Sequence, residues 1–246
     1  MRFTSEQQLD GGLTEREFML GEIPGILWTP GSASTSSPVP LILLGHPGGL
    51  RAMYPRLAAR ATHSAAQGFA TATIEIPGAG DRPRLAAADA ARADLRDALE
   101  SGAPVSGEII DRLVLPLVDQ AVPEWQSVMD ALLGRPEIRG PIGYSGGVIA
   151  VGVRLAAVDA RIRAAGLFAG SFVPRSTFDE ARRVTIPVHV LLQWDDEGND
   201  RQMALDLFDA FGSAEKTLQA NLGGHRGVPS FAGEDAARFF ARHLSR

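Results

Sequence analysis

Residues 39–45 form a continuous apolar run without in–out alternation, the pattern of a strand covered on both faces of a mostly parallel sheet. Residues 69–76, 162–168 and 186–192 read the same way, and shorter runs at 141–144 and 216–220 add two more strands. Upstream, the runs 16–20 and 23–28 flank Gly21-Glu22 and predict a β-hairpin or meander at a sheet edge. The Gly-, Ser- and Pro-rich stretch 30–40 is an exposed loop. Between the strands the period changes to that of helices. Leu57, Ala58, Ala61 and Ala65 mark a helix over 55–67, opened by Pro55 and stopped by Gly68. Further helices are predicted at 84–100, 108–120, 123–133, 148–158, 202–211 and 234–244, with a loop and a candidate helix at 170–183. This alternation predicts an α/β fold, a doubly wound sheet with helices on both faces. The stretch 81–140 holds 60 residues without a clear strand, more than one crossover needs, so 84–125 is a candidate helical cap.

Composition narrows the function classes. A chain of 246 residues, 45% hydrophobic and 22% charged, can bury the core of one large α/β domain. A net charge of -5 with no basic cluster argues against nucleic acid as a partner. Lys216 is the only lysine, so Schiff-base chemistry is excluded elsewhere. The absence of cysteine removes disulfides, thiolate nucleophiles and cysteine metal sites. No His-x-x-His or His-Glu-x-x-His spacing occurs, and Asp195-Asp196-Glu197 lacks a calcium-loop pattern, so no metal is expected. Residues 1–12 are polar, and no run of about 18 apolar residues appears. A soluble, cytoplasmic protein with no membrane partner is expected, as a monomer or homodimer.

One stretch carries chemistry. Gly143-Tyr144-Ser145-Gly146-Gly147 places a serine among small residues between a strand-like and a helix-like run, the form of a nucleophile elbow. A serine hydroxyl needs a base to take its proton and an acid to orient that base. Of the five histidines, His63, His189 and His243 fall inside predicted elements, whereas His46 and His225 sit in glycine-rich loops at strand ends. Those loops lie at the carboxyl edge, where open α/β sheets place their sites. His225, in the loop before the last helix, is the expected base. The acid should follow strand 186–192, where Asp195 and Asp196 both qualify; Asp196 lies further into the turn and is preferred, with Asp200 suited to capping the next helix. The oxyanion formed at an attacked carbonyl calls for backbone N–H donors, expected from Gly146 and Gly48, since Pro47 has none. His46 is expected to be a buried residue that fixes this loop. Arg51 and Tyr54 follow the oxyanion loop and Phe172 follows a strand end, and all three are candidates for lining the substrate pocket.

The segments Leu44-Gly45-His46-Pro47-Gly48-Gly49, Pro77-Gly78-Ala79-Gly80-Asp81-Arg82, Gly143-Tyr144-Ser145-Gly146-Gly147, Gln193-Trp194-Asp195-Asp196 and Gly223-Gly224-His225 together resemble the successive signature loops of the α/β-hydrolase superfamily. The likeness is to its dienelactone-hydrolase-like and small serine esterase members, and covers residue 41 to the C-terminus. It implies an eight-stranded, mostly parallel sheet, a triad of Ser145, Asp196 and His225, and no cofactor. Two positions depart from the family pattern: Pro47 follows His46 where glycine is usual, and Ser145 stands where true dienelactone hydrolases carry cysteine. The expected activity is hydrolysis of a small-molecule carboxylic ester, lactone or thioester through an acyl-enzyme. The alternatives are a peptidase or amidase on the same scaffold, and a noncatalytic ligand-binding protein of that fold.

Overall fold

Polar residues open the sheet. In the computed structural model, which describes residues 1–170, 172–225 and 227–245, β1 (Arg2–Leu9) pairs antiparallel with β2 (Leu13–Leu20). The chain turns through Gly21, at φ 58°, into β3 (Ile23–Pro30), forming the expected hairpin. The parallel part comprises β4 (Val39–Gly45), β5 (Ala70–Ile74), β6 (Ile138–Gly146), β7 (Ile162–Phe168), β8 (Val188–Gln193) and β9 (Lys216–Asn221). The order across the sheet is β1-β2-β3-β5-β4-β6-β7-β8-β9, with β3 antiparallel to β5. Among the described residues nine strands therefore replace the eight expected. The unforeseen one is β1, which is solvent-facing except at Phe3 and Leu9 and so has no hydrophobic alternation to betray it. Its ladder to β2 and polar pairs such as Arg16–Glu6 hold it in place.

Among the described residues seven helices cover the two faces: α1 (Leu50–Ala66), α2 (Ala86–Ser101), α3 (Gly107–Leu133), α4 (Ile149–Val158), α5 (Arg175–Arg183), α6 (Arg201–Ala210) and α7 (Phe231–Leu244). Because each central strand is apolar on both sides, its residues alternate between two cores. Leu41 and Leu43 of β4 join a cluster with α3 to α6, while Ile42 and Leu44 join Leu57 and Ala61 of α1 and Phe240 and Leu244 of α7. Gly143 brings α7 close to the sheet: a Cβ there would stand 2.8 Å from both Leu244 Cδ1 and Phe240 Cε1.

Two helices differ from expectation. Pro55 does not open α1; the helix starts at Leu50, whose N–H is taken up by the Glu75 carboxylate at 3.0 Å. The two helices expected at 108–120 and 123–133 are one, α3, despite Pro116 and Pro123 within it. Its unbroken buried face, including Val114, Val118, Val122, Trp125 and Met129, offsets the two missing backbone donors. From Gly107 onward the 84–125 stretch is thus part of the main core. The helix α2 lies against α3 with only Ala88 and Ala91 buried. No helix among the described residues is long and apolar enough to cross a membrane.

From β4 the chain passes to β5 on one side and later to β6 on the other. The carboxyl ends of β4 and β6 therefore flank the point where strand order reverses, the place such sheets use for ligand binding.

Candidate active site

At the far edge of the parallel sheet, β8 and β9 are in register to Gln193 and Asn221, and their loops stay zipped beyond the ladder. Trp194 N–H donates to Asn221 O at 2.7 Å, and Asp195 accepts the Gly223 N–H at Oδ2 at 3.0 Å. Gln193 Nε2 donates to Gly224 O at 3.1 Å. This pairing delivers the next residues of the two loops to each other. His225 Nδ1 lies 2.7 Å from Asp196 Oδ2. A carboxylate only accepts, so Nδ1 carries a proton, and in the neutral ring the lone pair is then on Nε2. Between the two acids left open by the sequence, Asp196 thus meets the histidine, while Asp195 ties the loops together.

Asp196 is well held. Its side chain is 5% exposed, and it also accepts Gly198 N–H at 3.1 Å and Asn199 Nδ2 at 2.5 Å. Burial pulls its pKa upward, but the hydrogen bonds from His225, Asn199 and Gly198 prevail and hold it below the usual carboxylate range. The His225 side chain is 60% exposed, with its ring edge-on to Phe168 at 5.4 Å between centroids. Phe172, Asp196, Gly224 and His225 line an open cleft. Asp200 caps α6, accepting from Gln202 and Met203 N–H.

Ser145 occupies a different setting from the one its motif suggests. The expected strand ends at residue 144 with the serine on the turn; instead β6 runs through Gly146, and Ser145 pairs with Leu44 on β4 and Gly166 on β7. The turn falls on Gly146, at φ 115°, a conformation glycine tolerates. Tyr144 is buried and donates its hydroxyl to Gly147 O at 3.3 Å. Ser145 Oγ accepts a hydrogen bond from Arg60 Nη2 at 2.9 Å, and the same nitrogen donates to Ser145 O at 2.7 Å. Arg60 Nη1 reaches Gly45 O at 3.3 Å. Burial lowers the Arg60 pKa to about 10, with nearby Arg56 adding to the fall and Tyr144 opposing it. No hydrogen bond joins Ser145 to His225 among the described residues. Arg60 has no motif to announce it; its one signal in the sequence is a charged residue set between Leu57 and Ala61 on the apolar stripe of α1.

Gly48 and Gly146, the expected oxyanion donors, lie on the loop after β4 and the end of β6, whose last paired residues are Gly45 and Gly146. His46 is buried and donates from Nε2 to Ile74 O at 2.9 Å, anchoring that loop as expected; its burial lowers its pKa. The Glu75 carboxylate, its pKa raised by burial, holds Leu50 N–H at the start of α1. Arg82 fixes the neighbouring loop through Glu75 O and a two-pronged bridge to Glu124. Of the three pocket candidates, the structure brings Phe172 to the Asp196–His225 cleft. Arg51 is exposed on the first turn of α1. Tyr54 points its hydroxyl at Glu15 Oε2, 2.8 Å away on β2, and its pKa is pushed up to about 12 by burial and by that carboxylate.

The sequence matches no protein-family model and no curated protein sequence. Solved structures do resemble it. A polyethylene-glycol-bound cold-adapted esterase from an Arctic intertidal metagenomic library superposes with a TM-score of 0.78 at 26% identity, over 99% of this chain and 100% of that one. A dienelactone hydrolase from Anabaena variabilis gives a TM-score of 0.60 at 16% identity, over 98% of each chain. Acetyl xylan esterase 1 from Thermoanaerobacterium sp. gives 0.62 at 12% identity, over 98% of this chain and 87% of that one.

Proposed function

We propose that this chain, which has the α/β-hydrolase fold, is a serine hydrolase that cleaves a small carboxylic ester, lactone or thioester through an acyl-enzyme. The observation that carries the reading is the Asp196–His225 pair, on the two loops that follow β8 and β9, with Ser145 at the end of β6. Nucleophile, acid and base thus follow in the chain order that this fold uses. Esterases and a dienelactone hydrolase among the similar structures support the reaction class.

In this reading His225 Nε2 takes the proton of Ser145 Oγ while Oγ bonds to the substrate carbonyl carbon. Asp196 holds the imidazole with Nδ1 protonated and stabilises the imidazolium as it forms. The carbonyl oxygen becomes an oxyanion that receives the N–H groups of Gly48 and Gly146. Collapse expels the alcohol or thiol, which takes the proton from His225. Water, deprotonated by the same nitrogen, then attacks the acyl carbon; the bond to Oγ breaks, Oγ takes the proton back from His225 and the acid is released. Since Ser145 and His225 share no hydrogen bond in the structure, the first event on the path is an approach of Oγ to Nε2. Phe172, at the cleft, contacts the apolar part of the substrate.

The test is a panel of p-nitrophenyl esters, lactones and thioesters, with amides alongside, offered to the native protein and to Ser145→Ala. Turnover of the esters, lost in the alanine variant, and fluorophosphonate labelling at Ser145 are expected. Undiminished turnover by Ser145→Ala, or labelling of another residue, would sink the proposal.

A further inference from the structure

Arg60 is the charged group in contact with the proposed nucleophile that the mechanism above leaves without a task. Its guanidinium meets Ser145 Oγ, Ser145 O and Gly45 O, at 2.9, 2.7 and 3.3 Å. Arg82, Arg154 and Arg161, also part-buried, face the carboxylates of Glu124, Glu180 and Asp159, whereas part-buried Arg139 bonds to Pro38 O and Gly140 O, far from any candidate nucleophile. Among the described residues Arg60 forms no such ion pair, and its partners are a hydroxyl and two carbonyl oxygens. Holding a half-buried cation without a counter-ion costs free energy, and such uncompensated charges cluster where chemistry needs them.

We infer that Arg60 is a catalytic residue of the Ser145 centre: its guanidinium supplies the positive charge that stabilises the deprotonated serine oxygen. The inference rests on the hydrolase reading above. A serine hydroxyl has one proton to donate and two lone pairs. The N–H of Arg60 occupies one lone pair, which leaves the single O–H for His225 and one lone pair for the substrate carbonyl carbon. As the O–H bond breaks and its proton passes to His225 Nε2, negative charge grows on Oγ beside the guanidinium, whose own protons stay in place. The bonds to Gly45 O and Ser145 O fix the guanidinium across the carboxyl ends of β4 and β6. The hydrogen bond that steadies Ser145 Oγ thus comes from α1 on one side, and proton removal from the loop after β9 on the other.

The experiment compares Arg60→Met, which keeps an unbranched apolar stem without charge, and Arg60→Lys, which keeps charge without the fork. Both are measured in the full chain with p-nitrophenyl acetate and a fluorophosphonate probe, alongside thermal melts. A charged hydrogen bond made to the reacting atom predicts that Arg60→Met loses about 10- to 100-fold in kcat. KM should stay within about threefold, and labelling of Ser145 should slow in proportion. Arg60→Lys should retain more activity than Arg60→Met. Labelling and turnover by Arg60→Met within about threefold of native overturns the inference, as do equal losses in both variants. Should Arg60→Met fail to fold, Arg60→Gln, which keeps N–H donors without charge, takes its place, and turnover and labelling within about threefold of native overturn the inference in the same way. Ser145→Ala separates the two ideas. If it is inert while Arg60→Met is unimpaired, only the role of Arg60 falls; if it stays active, the serine reading falls as well.

Discussion

Replacing Asp196 by asparagine tests the centre of the proposal, because the structure shows what the amide would meet. Oδ2 of Asp196 receives both His225 Nδ1 and Asn199 Nδ2, and Oδ1 receives Gly198 N–H. An asparagine has one acceptor oxygen and one NH2 group. With NH2 toward His225, the imidazole must become an acceptor at Nδ1, which moves its proton to Nε2 and removes the base. With oxygen toward His225, the NH2 confronts Gly198 N–H. Either arrangement abolishes the carboxylate that stabilises the imidazolium. Loss of the triad carboxylate costs about 10³- to 10⁴-fold in kcat, equivalent to about 4–5.5 kcal/mol. The fold should lose less, about 1–2 kcal/mol, since one or two hydrogen bonds go and a buried charge goes with them. The assay is steady-state hydrolysis of p-nitrophenyl acetate, with thermal melts as the check on folding. Asp195→Asn is the control: among the described residues the Asp195 side chain accepts only Gly223 N–H, so its kcat should stay within about tenfold of native. Equal losses at the two positions, or an Asp196→Asn protein within tenfold of native, would refute the assignment. The pKa of Asp196 adds a stability signature. A carboxyl held below its ordinary value contributes stability that is complete above that value and is lost as pH falls through the lower one, so acid unfolding of Asp196→Asn should show a shallower pH dependence there.

Three other expectations follow from the packing. The two tyrosines, Tyr54 and Tyr144, are both shifted upward, mainly by burial, so ultraviolet titration of the folded protein should show no phenolate step near pH 10. Raised tyrosine pKa values stabilise the fold fully below the unfolded value and progressively less above it; a normal tyrosine step in the folded protein would contradict this. Gly143→Ala forces a methyl group to 2.8 Å from Leu244 and Phe240, which should cost about 1–3 kcal/mol by overpacking; an unchanged denaturation midpoint would be inconsistent with the close approach of α7. Arg82→Met removes the bridge to Glu124 and leaves that carboxylate part-buried, so urea unfolding should show a loss of about 3 kcal/mol, and one below about 1 kcal/mol would mean the bridge is solvent-screened.

The parts of this fold that the sequence revealed are those where one physical signal dominates. The strands β4, β7 and β8 are covered on both faces, so their apolar runs stand out. The Gly21-Glu22 turn stands out because only particular residues suit it. The strand β1 could not be read, since its stability comes from ladder hydrogen bonds that carry no side-chain pattern. The continuity of α3 was hidden by Pro116 and Pro123, whose local penalty is outweighed by a buried face formed with elements distant in sequence. The same division runs through the site. The meeting of Asp196 with His225 was legible because loop position and residue type agree. The contact of Tyr54 with Glu15 and of Arg60 with Ser145 depends on the crossing of α1 over the sheet, which local sequence does not encode.

The zipped loops after β8 and β9 have one more consequence, for spectroscopy. The Asp196–His225 pair is assembled by backbone and side-chain bonds that involve neither Ser145 nor the strand that bears it. An inert Ser145→Ala protein would therefore keep the pair intact, and the proton on His225 Nδ1, held 2.7 Å from a carboxylate, should remain visible as a far-downfield resonance. That resonance would make the silent variant a reporter, able to register acids, alcohols and intact esters entering the cleft without consuming them.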